Sequence, residues 1–388
     1  MTVMRVTDLV ARNGRDWDDG PEVKIAGRTL DGERMTKRIT GTRPYFFVDE
    51  RVDVPENENV IRTDTGYESY DGHSLRKIVM ENPRDVGSFR EEFDQTYEAD
   101  VVYSRRVSVD YGLTGYIDMP DQGIETHYSD VDTEIDEATI DPVEPRALVA
   151  DIETMPPKDG DFSGYTETAS EPVLAICFYD TYEDDYTLIV KDDDQRADPR
   201  AIRRHLQNHW SGHEYEALYT DVDISYISCE NEIDLLNCFI DEVCERQPDL
   251  ISGWNWVDFD HEYLMNRMTQ FDQAVQRNDL SDIGYVGGYQ SAQLIDGIPA
   301  FDMMRTYCEV IIFQELRSQA LDYVADQELD VGKMPDVSVG TEYRENRSRL
   351  FAYNLADTQL CVALDKKHGI HEFIYQLADL AGVQVYDV

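Results

Sequence analysis

The chain has 388 residues, and its 80 acidic against 35 basic residues leave a formal charge of −45. Hydrophobic content of 41% and aromatic content of 11% exclude a disordered chain, and the length predicts two or three domains. Six scattered cysteines without a C-x-x-C signal neither a zinc ribbon nor a disulfide framework, the lack of an apolar N-terminal stretch and of an 18-residue apolar run predicts neither a signal peptide nor a membrane span, and a reduced cytoplasm fits.

Residues 1–130 alternate short strand-like runs with turns. "EVKIAGRTLDGERMTKRITGTRPYFFVDE" predicts a strand, an Asp-Gly turn, a second strand, and a third entered through Arg43-Pro44. "NPRDVGSFREEF" predicts a short helix and "DVVYSRRVSV" a strand, so this part reads as a small α+β domain. "SDVDTEIDEATIDPVEP" is acidic, Pro-bounded and without periodicity, which places a connector over 131–145.

From 146 the pattern changes. Ala147–Thr154, Val173–Tyr179 and Tyr186–Val190 read as consecutive strands. Asn231–Arg246 reads as an amphipathic helix, with Ile233, Leu236, Ile240 and Val243 on one face. A strand at Leu250–Trp254, a helix from about Glu262 and a late helix from about Glu345 to Lys367 follow. Strands first, then alternation with helices, predicts a mixed α/β sheet faced by helices.

Three acidic motifs stand out along this second part. At the end of the first strand, Asp151 and Glu153 in "DIET" are two apart and share a face. Two carboxylates so close repel unless a positive group lies between them, and a hard divalent cation would serve. A solvated strand end is the plainer reading. In "DLISGWNWVDFDHEYLMNRM", Asn255 and Asp260 fall in the turn before a helix, which Asp260 could simply cap. In "YNLADTQLCVAL", Tyr353 and Asp357 are four apart on one helix face. Trp254 and Trp256 could stack bases but read more readily as core.

Together these motifs resemble the three exonuclease motifs of the DEDDy superfamily. "DIET", "ISGWNWVDFDHEYL" and "YNLADTQL" resemble the proofreading exonuclease domain of family B DNA polymerases. "FDMMRTYCEVIIFQELRSQALDYVADQEL…GK" resembles its connecting segment. "RTLDGERMTKRITGTRPYFFV" and "NPRDVGSFREEF…VVYSRRVSVDYGLTGYIDM" resemble the N-terminal domain of the archaeal members. The resemblance implies an RNase H-like mixed-sheet exonuclease domain over 146–375 behind an N-terminal α+β domain, with 376–388 leading toward a polymerase domain. It implies two-metal hydrolysis of a DNA 3′ end with Mg²⁺ or Mn²⁺. Carried over by motif, Asp151, Glu153 and Asp357 would hold one ion, and Asp151 with Asp260 the second. Tyr353 would orient the attacking water, and Asn255 and Phe259 would meet the terminal nucleotide of a single-stranded 3′ end or primer-template. Pro44 and Tyr45 match one wall of the archaeal uracil pocket, but "DYGLTGYIDM" departs from the other. His261-Glu262 also departs from the family, which usually has a proline before Tyr-Leu.

No segment resembles the S-L-Y-P-S or Y-G-D-T-D polymerase motifs, so the chain is expected not to synthesise DNA. Two readings of its architecture stay open, the N-terminal piece of a split or truncated polymerase and a free-standing exonuclease. The first implies a polymerase-domain chain or a sliding clamp acting in trans. A DNA- or polymerase-binding module with incidental hydrolysis is the alternative function. Only eight of the 35 basic residues are lysine, and the acids run along the whole chain. Such a surface suits a cytoplasm at molar salt, where the Debye length is about 3 Å, and predicts an extreme halophile or a virus of one. The same screening means that acidity does not exclude DNA as a partner.

Overall fold

A computed structural model describes residues 1–13, 20–289, 292–312 and 316–385. The chain forms two compact units, Met1–Glu144 with Ala378–Val388, and Pro145–Leu377.

The first unit holds two small sheets. β1 (Thr2–Arg12), β2 (Glu22–Thr29) and β3 (Arg34–Thr40) pair antiparallel, with β7 (Tyr116–Met119) beside β1 and β8 (Glu125–His127) parallel to β3. β4 (Tyr45–Asp49), β5 (Val60–Glu68) and β6 (Ser74–Met80) form the second sheet in the order β4-β6-β5. The "NPRDVGSFREEF" segment is helical as expected, as α1 (Pro83–Phe89), and Val86 and Phe89 pack on Phe46, Val48 and Ile78. The "DVVYSRRVSV" segment is not the expected strand. It forms α2 (Tyr103–Tyr111). Its valines favour a strand, but Tyr103, Arg106 and Val107 are buried at helical spacing while Val109 is exposed. Packing of Tyr103 and Val107 beside Met4, Leu9 and Ile25 outweighs the intrinsic preference.

The second unit is built on a six-stranded mixed sheet in the order β12-β11-β10-β9-β13-β16. β9 (Ala147–Thr154), β10 (Val173–Asp180) and β11 (Asp185–Lys191) are antiparallel neighbours. β12 (Ile224–Cys229) runs parallel to β11, β13 (Leu250–Gly253) parallel to β9, and β16 (Ala300–Asp302) parallel to β13. A separate hairpin pairs β14 (Val286–Tyr289) with β15 (Ala292–Ile295). The fold is the mixed α/β arrangement expected of an RNase H-like domain.

Between these strands lie α3 (Tyr165–Thr168), α4 (Pro199–Trp210), α5 (Glu216–Thr220), α6 (Glu232–Arg246) and α7 (Glu262–Thr269), and α8 (Met303–Arg305) comes directly after β16. α9 (Leu321–Leu329), α10 (Val339–Glu345), α11 (Arg347–His368) and α12 (Ile370–Ala381) follow. α6 starts where Asn231 accepts a hydrogen bond from the Asp234 N–H (3.0 Å).

β9 sorts its residues by parity. Leu148, Ala150 and Ile152 enter a core with Leu235, Phe239 and Ile240 of α6 and Leu264 and Met265 of α7. Asp151 and Glu153 therefore face the other side, where α11 packs on β9 and β10. α11 is buried around its middle, Leu350 to Leu364, apart from a half-buried Tyr353. Two contacts of Gln359 pin it: the Trp210 Nε1–H donates to its Oε1 (2.7 Å), and its Nε2–H donates to the Tyr219 carbonyl (2.8 Å). At its start, the buried Arg347 guanidinium pairs with Asp192 (2.6 Å).

β13 approaches β9 closely at Gly253. A Cβ there would fall on the carbonyl oxygen of Ala150, well inside van der Waals contact. Only glycine lets the strand that leads to Asn255 and Asp260 lie this near Asp151.

Candidate metal centre

One carboxylate oxygen each from Asp151, Glu153 and Asp357 lie within 4.8 Å of one another. Two come from alternate positions of β9 and the third from α11, so strand pleat and helix packing assemble the group. Asp357 is fully buried and Glu153 nearly so, while Asp151 keeps some exposure.

Desolvation penalises charge here. Burial and the neighbouring Asp357 push Asp151 up to about 7. Burial and the Asp151 charge raise Glu153 well above the ordinary carboxylate range. Burial also raises Asp357, opposed by Lys333. Three crowded, dehydrated carboxylates need positive charge.

Lys333 supplies some of it. Its Nζ donates to Asp357 Oδ2 (2.6 Å) and to the Tyr353 hydroxyl (3.2 Å). Burial works to lower its pKa, but the Asp357 and Asp151 carboxylates outweigh that and hold it well above the usual value. Sequence reasoning missed this residue, apart from noting the Gly-Lys pair in the connecting segment. It lies on the loop between α9 and α10, where no periodicity points to a site. Gly332 makes its approach feasible: a Cβ there would strike the Asp322 carboxylate, which accepts the Lys333 N–H (2.7 Å).

Asp260 lies outside the 4.8 Å group but borders it. Its Oδ1 accepts the Ile152 N–H (3.2 Å), between the two β9 acids, and burial followed by the Asp151 charge raises its pKa well above the usual range. It does not cap α7. Val257–His261 forms a π-helical turn running directly into that helix, with the His261 N–H donating to the Trp256 carbonyl five residues back (2.8 Å). The turn replaces the loop expected there and directs Asp260 toward β9. It also absorbs His261-Glu262 without a proline.

Tyr353 and Asp357 share a face of α11 as their spacing predicts, and Lys333 bridges them. Burial first, then the Asp357 charge, raise the Tyr353 pKa, so its hydroxyl stays protonated at neutral pH. The neighbouring Asn354 donates from Nδ2 to Asp151 Oδ2 (2.7 Å), a contact the sequence did not signal.

Asn255 adopts a left-handed backbone (φ 60°), and its carbonyl accepts the Phe259 N–H (3.1 Å). Phe259 stacks on Tyr165 (6.3 Å between centroids) and Tyr263 (6.4 Å), while the exposed Phe162 meets Tyr165 edge-on (5.2 Å). Tyr165 and Phe162 carried no signal in the sequence. Trp254 and Trp256 are buried as core residues, the former donating from Nε1 to the Gln319 carbonyl (2.8 Å).

In the first unit, the Pro44 carbonyl accepts the Met80 N–H (2.9 Å). The Tyr45 hydroxyl donates to Asp110 (2.6 Å), and its ring centroid lies 3.5 Å from Lys77 Nζ and 3.9 Å from the Arg106 guanidinium carbon. Two cations thus cover the Tyr45 ring.

The chain matches the model of DNA polymerase family B, exonuclease domain, over residues 94–324. It belongs to this family. The exonuclease-domain match takes in Asp151, Glu153 and Asp260 and stops before Lys333, Tyr353 and Asp357. The chain is similar to the DNA-directed DNA polymerase of Enterobacteria phage T4, 29% identical over 164 residues, 40% of this chain and 18% of the relative. It is also similar to the DNA polymerase delta catalytic subunit of Dictyostelium discoideum, 22% identical over 444 aligned positions, 94% of this chain and 38% of the relative. DNA polymerase II of Escherichia coli strain K12 is 26% identical over 188 residues, 44% of this chain and 23% of the relative. The matches thus span from under a fifth to about two fifths of these relatives' length.

The carboxylate group fits hard divalent cations. Its donors are all oxygen, and Asp357 Oδ1 is buried without a hydrogen-bond partner among the described residues. Among the described residues, no helix is long and apolar enough to cross a membrane.

Proposed function

We propose that the chain is a metal-dependent 3′→5′ DNA exonuclease, the proofreading part of a family B DNA polymerase. The observation that carries this reading is the convergence of Asp151, Glu153 and Asp357 beside Tyr353 and Lys333, in a chain of the polymerase exonuclease family.

Asp151, Glu153 and Asp357 would hold one divalent cation, Mg²⁺ or Mn²⁺, and Asp151 with Asp260 the other. Cations bound there supply an activated water and stabilise charge on the attacking and leaving oxygens. The chain's own residues do the remaining work. The protonated Tyr353 hydroxyl orients the water. The Lys333 ammonium holds Asp357 and offsets negative charge as the phosphodiester enters. Phe259 and Asn255 meet the 3′-terminal nucleotide, since stacking holds single-stranded ends without reading sequence.

The domain division belongs to this proposal, with 1–130 as the N-terminal domain, 131–145 as connector, 146–375 as the exonuclease and 376–388 leading onward. The partner it implies is DNA, as a single-stranded 3′ end or primer-template, and a polymerase-domain chain or sliding clamp acting in trans is compatible with the same reading. The acidic, lysine-poor composition supports a halophilic setting, that of an extreme halophile or a virus of one. The archaeal assignment rests on the N-terminal resemblance alone, and uracil recognition at Pro44 and Tyr45 would require Lys77 or Arg106 to leave the Tyr45 ring.

The test is degradation of 5′-labelled single-stranded DNA in molar KCl with Mg²⁺ or Mn²⁺, using wild type and Asp260→Ala. Stepwise shortening from the 3′ end, abolished in the variant and by EDTA, is the expected result. No shortening at any salt would overturn the reading of this chain as an enzyme by itself.

A further inference from the structure

Asn354 sits between the two α11 residues assigned above and belongs to neither role. It is fully buried, yet its side chain reaches across to β9 and meets one residue twice. Nδ2 donates to Asp151 Oδ2 (2.7 Å) and to the Asp151 main-chain carbonyl (3.1 Å). Both partners are acceptors, so only the amide nitrogen can face them and the orientation of the amide is fixed by chemistry. Its own Oδ1 is buried and has no partner among the described residues. An orphan acceptor in a core costs folding free energy, and such costs collect at functional sites.

The geometry points to a task. Asp151 lies on a strand and could swing its carboxylate about χ1 and χ2. Two bonds from one rigid amide tie Oδ2 to the Asp151 backbone and leave Oδ1 for an ion. α11 is packed along its length and anchored through Gln359, so the grip does not drift.

We infer that Asn354 is a positioning residue that fixes the carboxylate rotamer of Asp151, and thereby sets the affinity of the centre for divalent cations. The inference rests on the proposed metal centre. Residues that orient a metal ligand typically contribute about 10- to 100-fold in affinity.

The experiment is Mn²⁺ titration of the full 388-residue chain in molar KCl, with free Mn²⁺ read by electron paramagnetic resonance. Wild type is compared with Asn354→Ala and Asn354→Leu, the latter filling a similar volume without a donor. Circular dichroism checks that each variant is folded. The expected result is Mn²⁺ affinity weakened about 10- to 100-fold in both variants, whatever their melting temperatures, with DNA hydrolysis recovering toward the wild-type rate at raised Mn²⁺. A folded Asn354→Leu chain that binds Mn²⁺ as tightly as wild type overturns the inference. If wild type binds Mn²⁺ but cuts no DNA, the exonuclease reading fails while the affinity ratio still decides Asn354. If wild type binds no Mn²⁺, both fall.

Discussion

Burial and Asp357 hold the Asp151 carboxyl at about 7, far above the 3.8 of a free aspartate. The folded state therefore keeps this proton longer than the unfolded one. Between about pH 4 and 7 its contribution to stability falls as pH rises, and the loss is complete above 7. In EDTA, wild type should lose stability over that window relative to Asp151→Asn, and Mn²⁺ at pH 8 should restore it. Urea melts of both chains at pH 5 and 8 measure this; parallel pH dependence would show that Asp151 does not titrate there. Metal binding should release protons below pH 7, because ligands must be deprotonated. Lys333 yields a second prediction. Lys333→Met leaves Asp357 buried without its cation, so the metal-free chain should lose about 2 kcal/mol in urea melts. Mn²⁺ should recover part of that loss.

Elements differ in how far the sequence revealed them. β9 and α6 were legible because apolar runs and periodic faces determine them locally. α11 was legible as a helix, and the Tyr353–Asp357 spacing gave its site face. α2 was not, because Val102, Val107 and Val109 favour a strand and only burial on the five-stranded sheet decides otherwise. The π-helical turn at Val257–His261 was also hidden, and with it the bond from Ile152 to Asp260, because one short π-helical turn leaves no periodic trace. Lys333 comes from a loop twenty residues before Tyr353 in sequence, so its place was set by tertiary packing alone. Gly253 supplies the prediction at this scale. Gly253→Ala should push β13 off β9 beside Asp151. We expect a destabilisation of about 3 kcal/mol and loss of nuclease activity exceeding the loss of folded protein. Thermal melts and DNA shortening at a temperature where the variant is folded test it.

For the whole molecule, a charge of −45 sets the dependence on salt. At 0.1 M the Debye length is about 10 Å and at 1 M about 3 Å, so dilution exposes acids on the surface to one another. Moving from 3 M to 0.1 M KCl should lower Tm by on the order of 10 °C, equivalent to about 3 kcal/mol. Calorimetry across that range measures it, and a flat Tm would contradict a halophilic reading of the composition. The protein also gives one element two tasks. α11 is the central buried helix of the second unit, and it carries Tyr353, Asn354 and Asp357. Catalytic groups usually ride on loops that open at little cost. Here the ligands can come apart only by melting the core. Amide hydrogens from Asn354 to Leu364 should thus exchange with deuterium at the rate set by global unfolding of that unit. The centre would then have no loosened form, only an assembled state and a lost one.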